Sequence, residues 1–450
     1  MSDMLFAVGG TGQHVALAAA RLVRLRALPP IECTVIDNDD KGALSDALRH
    51  FGGTLSTGAE EPMPHPLPGG AKFIPTYDRT AAPHATLESL LVDPRSPEEE
   101  RWLFELFFDE TEGRTQVSEG MFARPNVGST VIAVSQIDSL GLVLDHARSF
   151  DRIFFTGSLV GGTGAGLVHQ LVRQLRVRVG PDKPIFGSFL LRWFSAGSGS
   201  GAYITDPGMD QNARHGVEYL FSDTRRDLSG AMLLGVPGQP FKRVGMLTTQ
   251  TGAVHERPSF LHLVAARGLL LLPDAQKTEG NGHVYAFGHD DAQEDELLSA
   301  TWHGGKTLTE RVRSAVVAAS LLEFAAEKAD DIADGFGLLG RKYVDGLHQT
   351  IRDHAKAADV KPQTFTKRLA ACFRAEERQL RFALAWVEDL LGKQALPERL
   401  AVATKGDADR KAVLEQAWKA PIPPPRGSEK PHVAKVALEL EERLFTWATA

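Results

Sequence analysis

Cysteine, long apolar runs and basic blocks are all scarce in this 450-residue chain, and each scarcity removes a class of protein. Two cysteines, Cys33 and Cys372, make neither a disulfide framework nor a metal set. Both sit in apolar periodic segments and read as buried free thiols of a reducing compartment. No uninterrupted apolar stretch reaches the roughly 18 residues that a membrane-crossing helix needs. The first residues, MSDMLFAVGG, carry no basic leader and turn at once into a strand, so a soluble, cytoplasmic protein with no membrane span is expected. A net charge of −7, without a long Lys/Arg run, argues against nucleic acid as the partner. The histidines do not cluster, and His255 and His262 read as packing and solvent residues rather than metal ligands. No nucleophile-elbow spelling supports a Ser/His/Asp set.

What is present is a globular composition, 43% hydrophobic and 24% charged, which can bury a large core. The chain is organised around residues 152–176, RIFFTGSLVGGTGAGLVHQLVRQLR. A β-type run, Ile153 to Thr156, meets a glycine turn and then a segment of helical period through Leu167, Val168, Leu171, Val172 and Leu175. A strand that stops at glycines and reopens as a helix aims backbone N–H groups and the positive helix end at one point, which is an anion site with phosphate as its usual occupant. Ser158 and Thr163 add hydroxyl donors. The spelling GGTGAG is neither the Walker pattern nor GxGxxG. An ordinary tight strand-to-helix turn is the alternative.

Taken in order, residues 4–8 form a buried parallel strand, Gly9-Gly10-Thr11-Gly12 a second glycine turn, and the following segment a helix with Val15, Ala19, Leu22 and Val23 on one face. Glu32 to Ile36 is the next strand and closes on Asp37-Asn38-Asp39-Asp40. This βαβ unit would by itself suggest a Rossmann dinucleotide site and an oxidoreductase, with Asp37 on a ribose. GGTGQH lacks the third glycine, however, and two glycine loops exceed the needs of one dinucleotide. Residues 52–97 are rich in proline and glycine and predict an irregular insertion. Ser96-Pro97-Glu98-Glu99 predicts a helix start with Ser96 as N-cap and with Trp102, Leu103, Leu106 and Phe107 in the core. Residues 122–129 predict a turn, Pro184 to Trp193 a strand, Asp206-Pro207-Gly208 the approach to a helix, Ala231 to Val236 a strand, and 258–273 a buried helix. From about residue 300 the pattern becomes helical, with Phe365, Leu369, Cys372, Phe373, Leu380, Leu384, Val387 and Leu391 as one core strip. The expected division is a nucleotide-binding domain over 1–300, a helical domain over 301–420, a proline-rich linker over 421–431 and a terminal helix over 432–450.

Several of these stretches together resemble the tubulin/FtsZ-like GTPase superfamily over roughly residues 4–270. Gly161-Gly162-Thr163-Gly164-Ala165-Gly166 resembles its signature phosphate loop, with Val160 and Ala165 departing from the usual glycine and small hydroxyl residue. Gly9, Gly10, Thr11, Gly12 and Gln13 are similar to its first loop. Asp37-Asn38-Asp39 resembles the polar loop near phosphate and magnesium, and Pro125-Asn126-Val127-Gly128 the loop that approaches the γ-phosphate. Asn212 falls where the family has an asparagine heading its long central helix and reading the guanine edge. The resemblance implies a three-layer parallel-sheet α/β domain that binds GTP or GDP, with Mg²⁺ held by Asp37 and Asp39 and with Asp206 and Asn212 on the nucleoside side. Turn chemistry or helix capping is the plainer alternative for Asp37, Asp39, Asn126 and Asn212.

The family's filament-forming members carry an acidic NxDxxD-type loop after the central helix and a small sheet domain beyond it. Here Leu228-Ser229-Gly230 runs into an apolar strand, Asp227 and Glu256 fit no such spacing, and the C-terminal part is helical. The resemblance is therefore to divergent bacterial tubulin-like proteins. It implies a GTP-dependent filament or oligomer GTPase, with self or protein partners. The alternative is a slowly or non-hydrolysing nucleotide-gated scaffold or sensor that recruits partners through its helical region. No residue is identified as the catalytic acid.

Overall fold

A computed structural model describes residues 2–24, 28–38, 43–49, 67–77, 84–93, 95, 97–117, 121, 123–134, 138–192, 194–195, 206–235, 241–242, 260–279, 281–288, 314–325, 345–374, 401, 406–418 and, within 436–447, residues 436, 437, 439, 440, 443, 444 and 447. The described residues fall into two compact units, 2–288 and 314–447.

The first unit is an α/β domain. Its strands are β1 (Asp3–Val8), β2 (Glu32–Ile36), β3 (Ala71–Ile74), β4 (Arg152–Ser158), β5 (Ile185–Leu190), β6 (Phe194–Ser195), β7 (Gly230–Gly235), β8 (Phe241–Lys242) and β9 (His283–Gly288). Seven form one parallel sheet in the order β3-β2-β1-β4-β5-β7-β9, and β6 pairs with β8 separately. The helices are α1 (Gly9–Arg24), α2 (Ala43–Arg49), α3 (Leu87–Leu91), α4 (Glu98–Phe107), α5 (Glu110–Gly113), α6 (Pro125–Val134), α7 (Asp138–His146), α8 (Gly162–Val179), α9 (Asp206–Ser222) and α10 (Phe260–Glu279). Among the described residues no single helix is long and apolar enough to cross a membrane.

Every residue of β1 is buried, as a strand covered on both faces requires, and this is why its run is apolar without alternation. Phe6 stacks on Phe155 with centroids 5.0 Å apart, in the core that Leu140, Leu144, Leu167, Leu171 and Leu175 of α7 and α8 complete. On the opposite face Phe154 stacks on Phe186 at 5.3 Å. There α1 packs against α10, and the Ser188 hydroxyl donates to the Ala265 carbonyl of α10 at 3.1 Å. The expected three-layer parallel α/β domain with a helical region is thus the observed architecture. Strand order reverses between β1 and β4, the point at which such sheets open a crevice at their carboxyl edge.

Three local expectations are corrected. The stretch 52–97 is not irregular throughout, because Ala71–Ile74 is the edge strand and α3 follows with a Thr86/Ser89 capping box. The sequence 122–129 is not a turn: α6 begins at Pro125, since proline suits the first helical position. Helix α4 starts at Glu98 with Pro97 at its cap and no side-chain cap bond, and Ser96 lies outside the described residues. Trp102, Leu103, Leu106 and Phe107 are not core but 62, 49, 61 and 69% exposed. Helical spacing shows that four apolar residues share a face and not what that face meets.

The second unit comprises helices Ser314–Ala325, Asp345–Ala357, 362–374 and Asp407–Ala417, with helical residues within 436–447. Phe365, Leu369, Cys372 and Phe373 lie in its core beside Leu347, Ile351 and Trp418. Leu380, Leu384, Val387, Leu391 and the PIPPP stretch lie outside the described residues. Both cysteines are buried and free, and burial pushes the Cys33 thiol up to about 12.

The contrast between the two aromatic sets is measurable by urea unfolding. Trp102→Ala and Phe107→Ala are expected to shift stability by no more than about 0.5 kcal/mol, whereas Phe155→Ala, fully buried, lowers it by about 3–5 kcal/mol.

Candidate functional site

The site follows from strand register. Val8 pairs with Ile36 on one side and Gly157 on the other, so β1, β2 and β4 end level and α1 and α8 leave the sheet together. Gly9 turns the chain with φ +72°, a conformation that side chains resist, and a Cβ there would lie 3.1 Å from the Gly164 nitrogen and 3.2 Å from the Thr163 Cβ. The two glycine loops therefore touch. Gly161 caps α8 in extended conformation with no side-chain cap bond, and neither α1, α6 nor α8 has an acid in its first turn. Gly10 is exposed and Gly161 half-buried, and a Cβ on either would meet nothing within 4 Å. First-turn N–H groups have no partner within their own helix, so those of α1 and α8 border open space beside one another. Two helix N-termini whose own first turns carry no acid thus form a cradle at the sheet's switch point, a geometry that favours anions.

The other glycines serve packing. A Cβ on Gly128 would stand 2.4 Å from the Gly162 oxygen, and one on Gly166 2.6 Å from the Pro125 oxygen, so α6 and α8 meet backbone to backbone. Gly12 lies against Ala7, Gly162 against Met121 and Gly164 against Ser158 in the same way. Gly12, Gly128, Gly162, Gly164 and Gly166 thus make room for the chain itself on their Cα side.

Asp37 ties the loops together. It is 5% exposed; its Oδ2 accepts from Gln13 Nε2 at 2.9 Å and its Oδ1 from the Thr163 hydroxyl at 3.5 Å, while Gln13 Oε1 accepts from Ser45 at 2.8 Å. Thr11 is half-buried beside them. Next along α1, His14 stacks on His262 of α10 at 4.7 Å, so His262 is a packing residue. Asn38 turns away from the cradle: its amide donates to the Val117 carbonyl at 2.8 Å and accepts from Thr76 N at 2.8 Å. The Ser158 hydroxyl oxygen accepts from Val160 N at 3.0 Å and shapes the loop. Asp39 lies outside the described residues. Among the described residues no group of three His, Cys, Asp or Glu side chains is placed to hold a metal. Asp37 alone fits a cation poorly, because it is buried and already hydrogen-bonded.

Four of the expected ligand residues are elsewhere. Asn126, Ala165, Gly166 and Asn212 line a separate cavity of about 560 Å³ between α6, α8 and α9. Asn212 does not head a long central helix. It sits in the second turn of α9, which joins neighbouring strands β5 and β7, and its amide donates to the Ala123 carbonyl at 2.9 Å and the Val160 carbonyl at 3.1 Å. Both N–H groups are therefore engaged with the chain rather than offered to a base. Asp206 opens α9. Asn126 donates to Glu112 at 2.7 Å. Sequence reasoning missed His169 in this cavity, because a histidine one helical turn beyond the glycines reads as ordinary helix surface. It is buried, shares a hydrogen bond with the Thr224 hydroxyl at 2.8 Å, and meets the Tyr219 ring edge-on at 4.7 Å. Burial holds its pKa down to about 4 against the opposing pull of Asp223.

Fold and geometry define an α/β domain with two glycine-turn helix ends side by side at the strand-order reversal. No protein-family model matches the sequence, and no curated protein is similar to it. Among solved structures the chain is similar to CetZ2 from Haloferax volcanii, described as a GTPγS-bound protofilament, at 15% identity and TM-score 0.31 over 66% of this chain and 63% of that one. It is also similar to CetZ from Methanosaeta thermophila strain DSM 6194, at 16% identity and TM-score 0.31 over 62% of this chain and 56% of that one. The chain thus spans less than two thirds of either, and at that distance the geometry of the cradle has to carry the functional reading.

His169 makes stability pH-dependent in a defined direction. Its folded pKa of about 4 lies below the model-peptide value of 6.5, so between those values the unfolded chain binds the extra proton and stability falls as pH drops. The loss attributable to this group is about 3 kcal/mol across that window. His169→Gln is expected to flatten that part of the pH profile in urea unfolding between pH 7 and pH 4.

Proposed function

We propose that the cradle binds the phosphates of a guanine nucleoside triphosphate and that the chain is a tubulin-like GTP-binding protein that self-assembles. One observation carries the phosphate reading: two acid-free helix N-termini lie side by side at the carboxyl edge of β1 and β4. The choice of GTP rests on the spelling of the two glycine loops. In this reading the N–H groups of Gly10, Thr11, Gly162 and Thr163 hold phosphate oxygens, and Asp37, through Gln13 and Thr163, sets the separation of the loops. A magnesium ion would balance phosphate charge and take few protein ligands, as Mg²⁺ commonly does. Hydrolysis, where it occurs, is attack of water on the γ-phosphate, with positioning and charge neutralisation as the protein's share.

A second reading is a slowly or non-hydrolysing scaffold whose helical unit recruits partners. It is favoured by the sequence that follows α9, where Leu228-Ser229-Gly230 runs into an apolar strand with no NxDxxD-type acidic pattern. An oxidoreductase with a dinucleotide is disfavoured, because the Asp37 carboxylate is buried on Gln13 and Thr163 and does not offer itself to a ribose diol.

Nucleotide released on denaturation and calorimetry with GTP, GDP and NAD test the reading together with Gly161→Asp. Aspartate suits the N-cap of α8 and is expected to hold stability or raise it by about 0.3 kcal/mol. Its charge would nonetheless lower GTP affinity by at least about tenfold. Wild-type protein without GTP affinity, or a variant that binds as well, would refute the cradle. Sedimentation that responds to GTP supports assembly; sedimentation that ignores it supports the scaffold.

A further inference from the structure

The cavity between α6, α8 and α9 has a polar lining rich in hydrogen-bond acceptors. Four amides border it, Asn126, Gln170, Gln211 and Asn212, and three of them turn their NH₂ groups into the protein: Asn126 to the Glu112 carboxylate at 2.7 Å, Gln170 to the Ser129 carbonyl at 3.2 Å, and Asn212 to the Ala123 and Val160 carbonyls. Every one of those partners can only accept, so the orientation of each of these three amides is determined by its neighbours. What remains for an occupant is three amide oxygens, none of which receives a donor among the described residues. Glu112 adds a carboxylate whose Oε2 accepts from Asp109 N at 3.0 Å and which keeps further lone pairs. His169 adds Nε2, fully enclosed and without a hydrogen-bond partner among the described residues. With Nδ1–H donating to Thr224, that Nε2 is a further acceptor.

Among the described residues no Lys or Arg lines the cavity, and Pro125 at the head of α6 brings no N–H. Half-exposed Tyr219 supplies an aromatic wall. Gln211 and His215 bring the N–H groups that the lining does offer, but the Glu112 carboxylate and the inward-turned amides make it a poor site for phosphate or carboxylate. It suits an occupant that is planar, rich in N–H and free of acceptors.

We propose that this cavity is a binding site for a guanidinium group, seated against Tyr219 with its N–H donors on the oxygens of Asn126, Gln170, Asn212 and Glu112. Guanidinium presents five donors in one plane, is always charged, and stacks on aromatic faces, whereas an ammonium is a compact point charge that cannot span these acceptors. Neutral His169 does not oppose the cation at physiological pH. The group can arrive on a free small molecule or on an arginine side chain of another polypeptide. The proposal does not rest on nucleotide binding.

Calorimetry on the full chain with Nα-acetyl-L-arginine amide tests it, with the matching lysine and citrulline compounds as controls. Saturable binding of one arginine compound per chain is expected, with both controls weaker by at least about tenfold. Glu112→Gln, which keeps an oxygen for the α5 cap, and Tyr219→Ala are each expected to weaken it by about five- to tenfold. GTP affinity should be unchanged in Glu112→Gln, so the two sites fail separately. Acetyl-Ala-Arg-Ala-amide then distinguishes the source: a tenfold gain over the capped amino acid marks a protein partner, and equal affinity marks a free small molecule. No saturable binding up to about 10 mM, equal binding of the lysine compound, or indifference to both substitutions would overturn the proposal.

Discussion

The level ending of two neighbouring parallel strands is the constraint on which the first unit depends. With Val8 opposite Gly157, α1 and α8 must begin side by side, and their positive ends approach within the contact distance of Gly9 and Gly164. Two like helix ends at that distance repel unless something negative lies between them. Asp37 fills that place from the end of β2. The carboxylate, 5% exposed, accepts there from the Gln13 amide and the Thr163 hydroxyl and faces the two helix ends. The same field that tolerates Asp37 on the inner side makes the outer side favourable to a second anion.

The glycines divide by what they face. Those that a ligand reading would assign to phosphate are mostly consumed by the crossing of α6 over α8 and of α1 over β1, where a methyl group would enter the van der Waals shell of a backbone oxygen. Of the described glycines in the two loops, Gly10 and Gly161 look outward. A glycine-rich loop of this kind first has to bring its own chain segments close enough for two helix ends to share one location. Ligand approach is a consequence of that packing.

Much of this was legible in the sequence, and the exceptions have physical reasons. The parallel strands were readable because they are buried on both faces and spelled as uninterrupted apolar runs, as in Met4 to Val8 and Ile153 to Thr156. The two loops were readable because glycine clusters directly after such runs. What failed was the meaning of apolar and amide side chains outside the sheet. Trp102 and Phe107 keep helical spacing yet cover nothing, since periodicity does not name the neighbour. Asn38 and Asn212 looked like ligand amides, but both bind backbone carbonyls of loops far away in sequence, Val117 for one and Ala123 for the other, which no local pattern records. His169 was invisible for the same reason: its burial depends on Thr224 and Tyr219, brought against it by α9 and the turn that follows.

The loop between β4 and α8 is held on every side without any ligand. Leu159 N donates to the Leu190 carbonyl at the end of β5; Val160 N donates to the Ser158 hydroxyl; the Val160 carbonyl accepts from Asn212 of α9. Each bond comes from a different element, so no single segment can relax without breaking a contact to another. A loop fixed in this way presents the first turn of α8 in one geometry, and an anion binding there need not pay for ordering the backbone. The residues that aim the first-turn N–H groups of α8 are positioned by β4, β5 and α9.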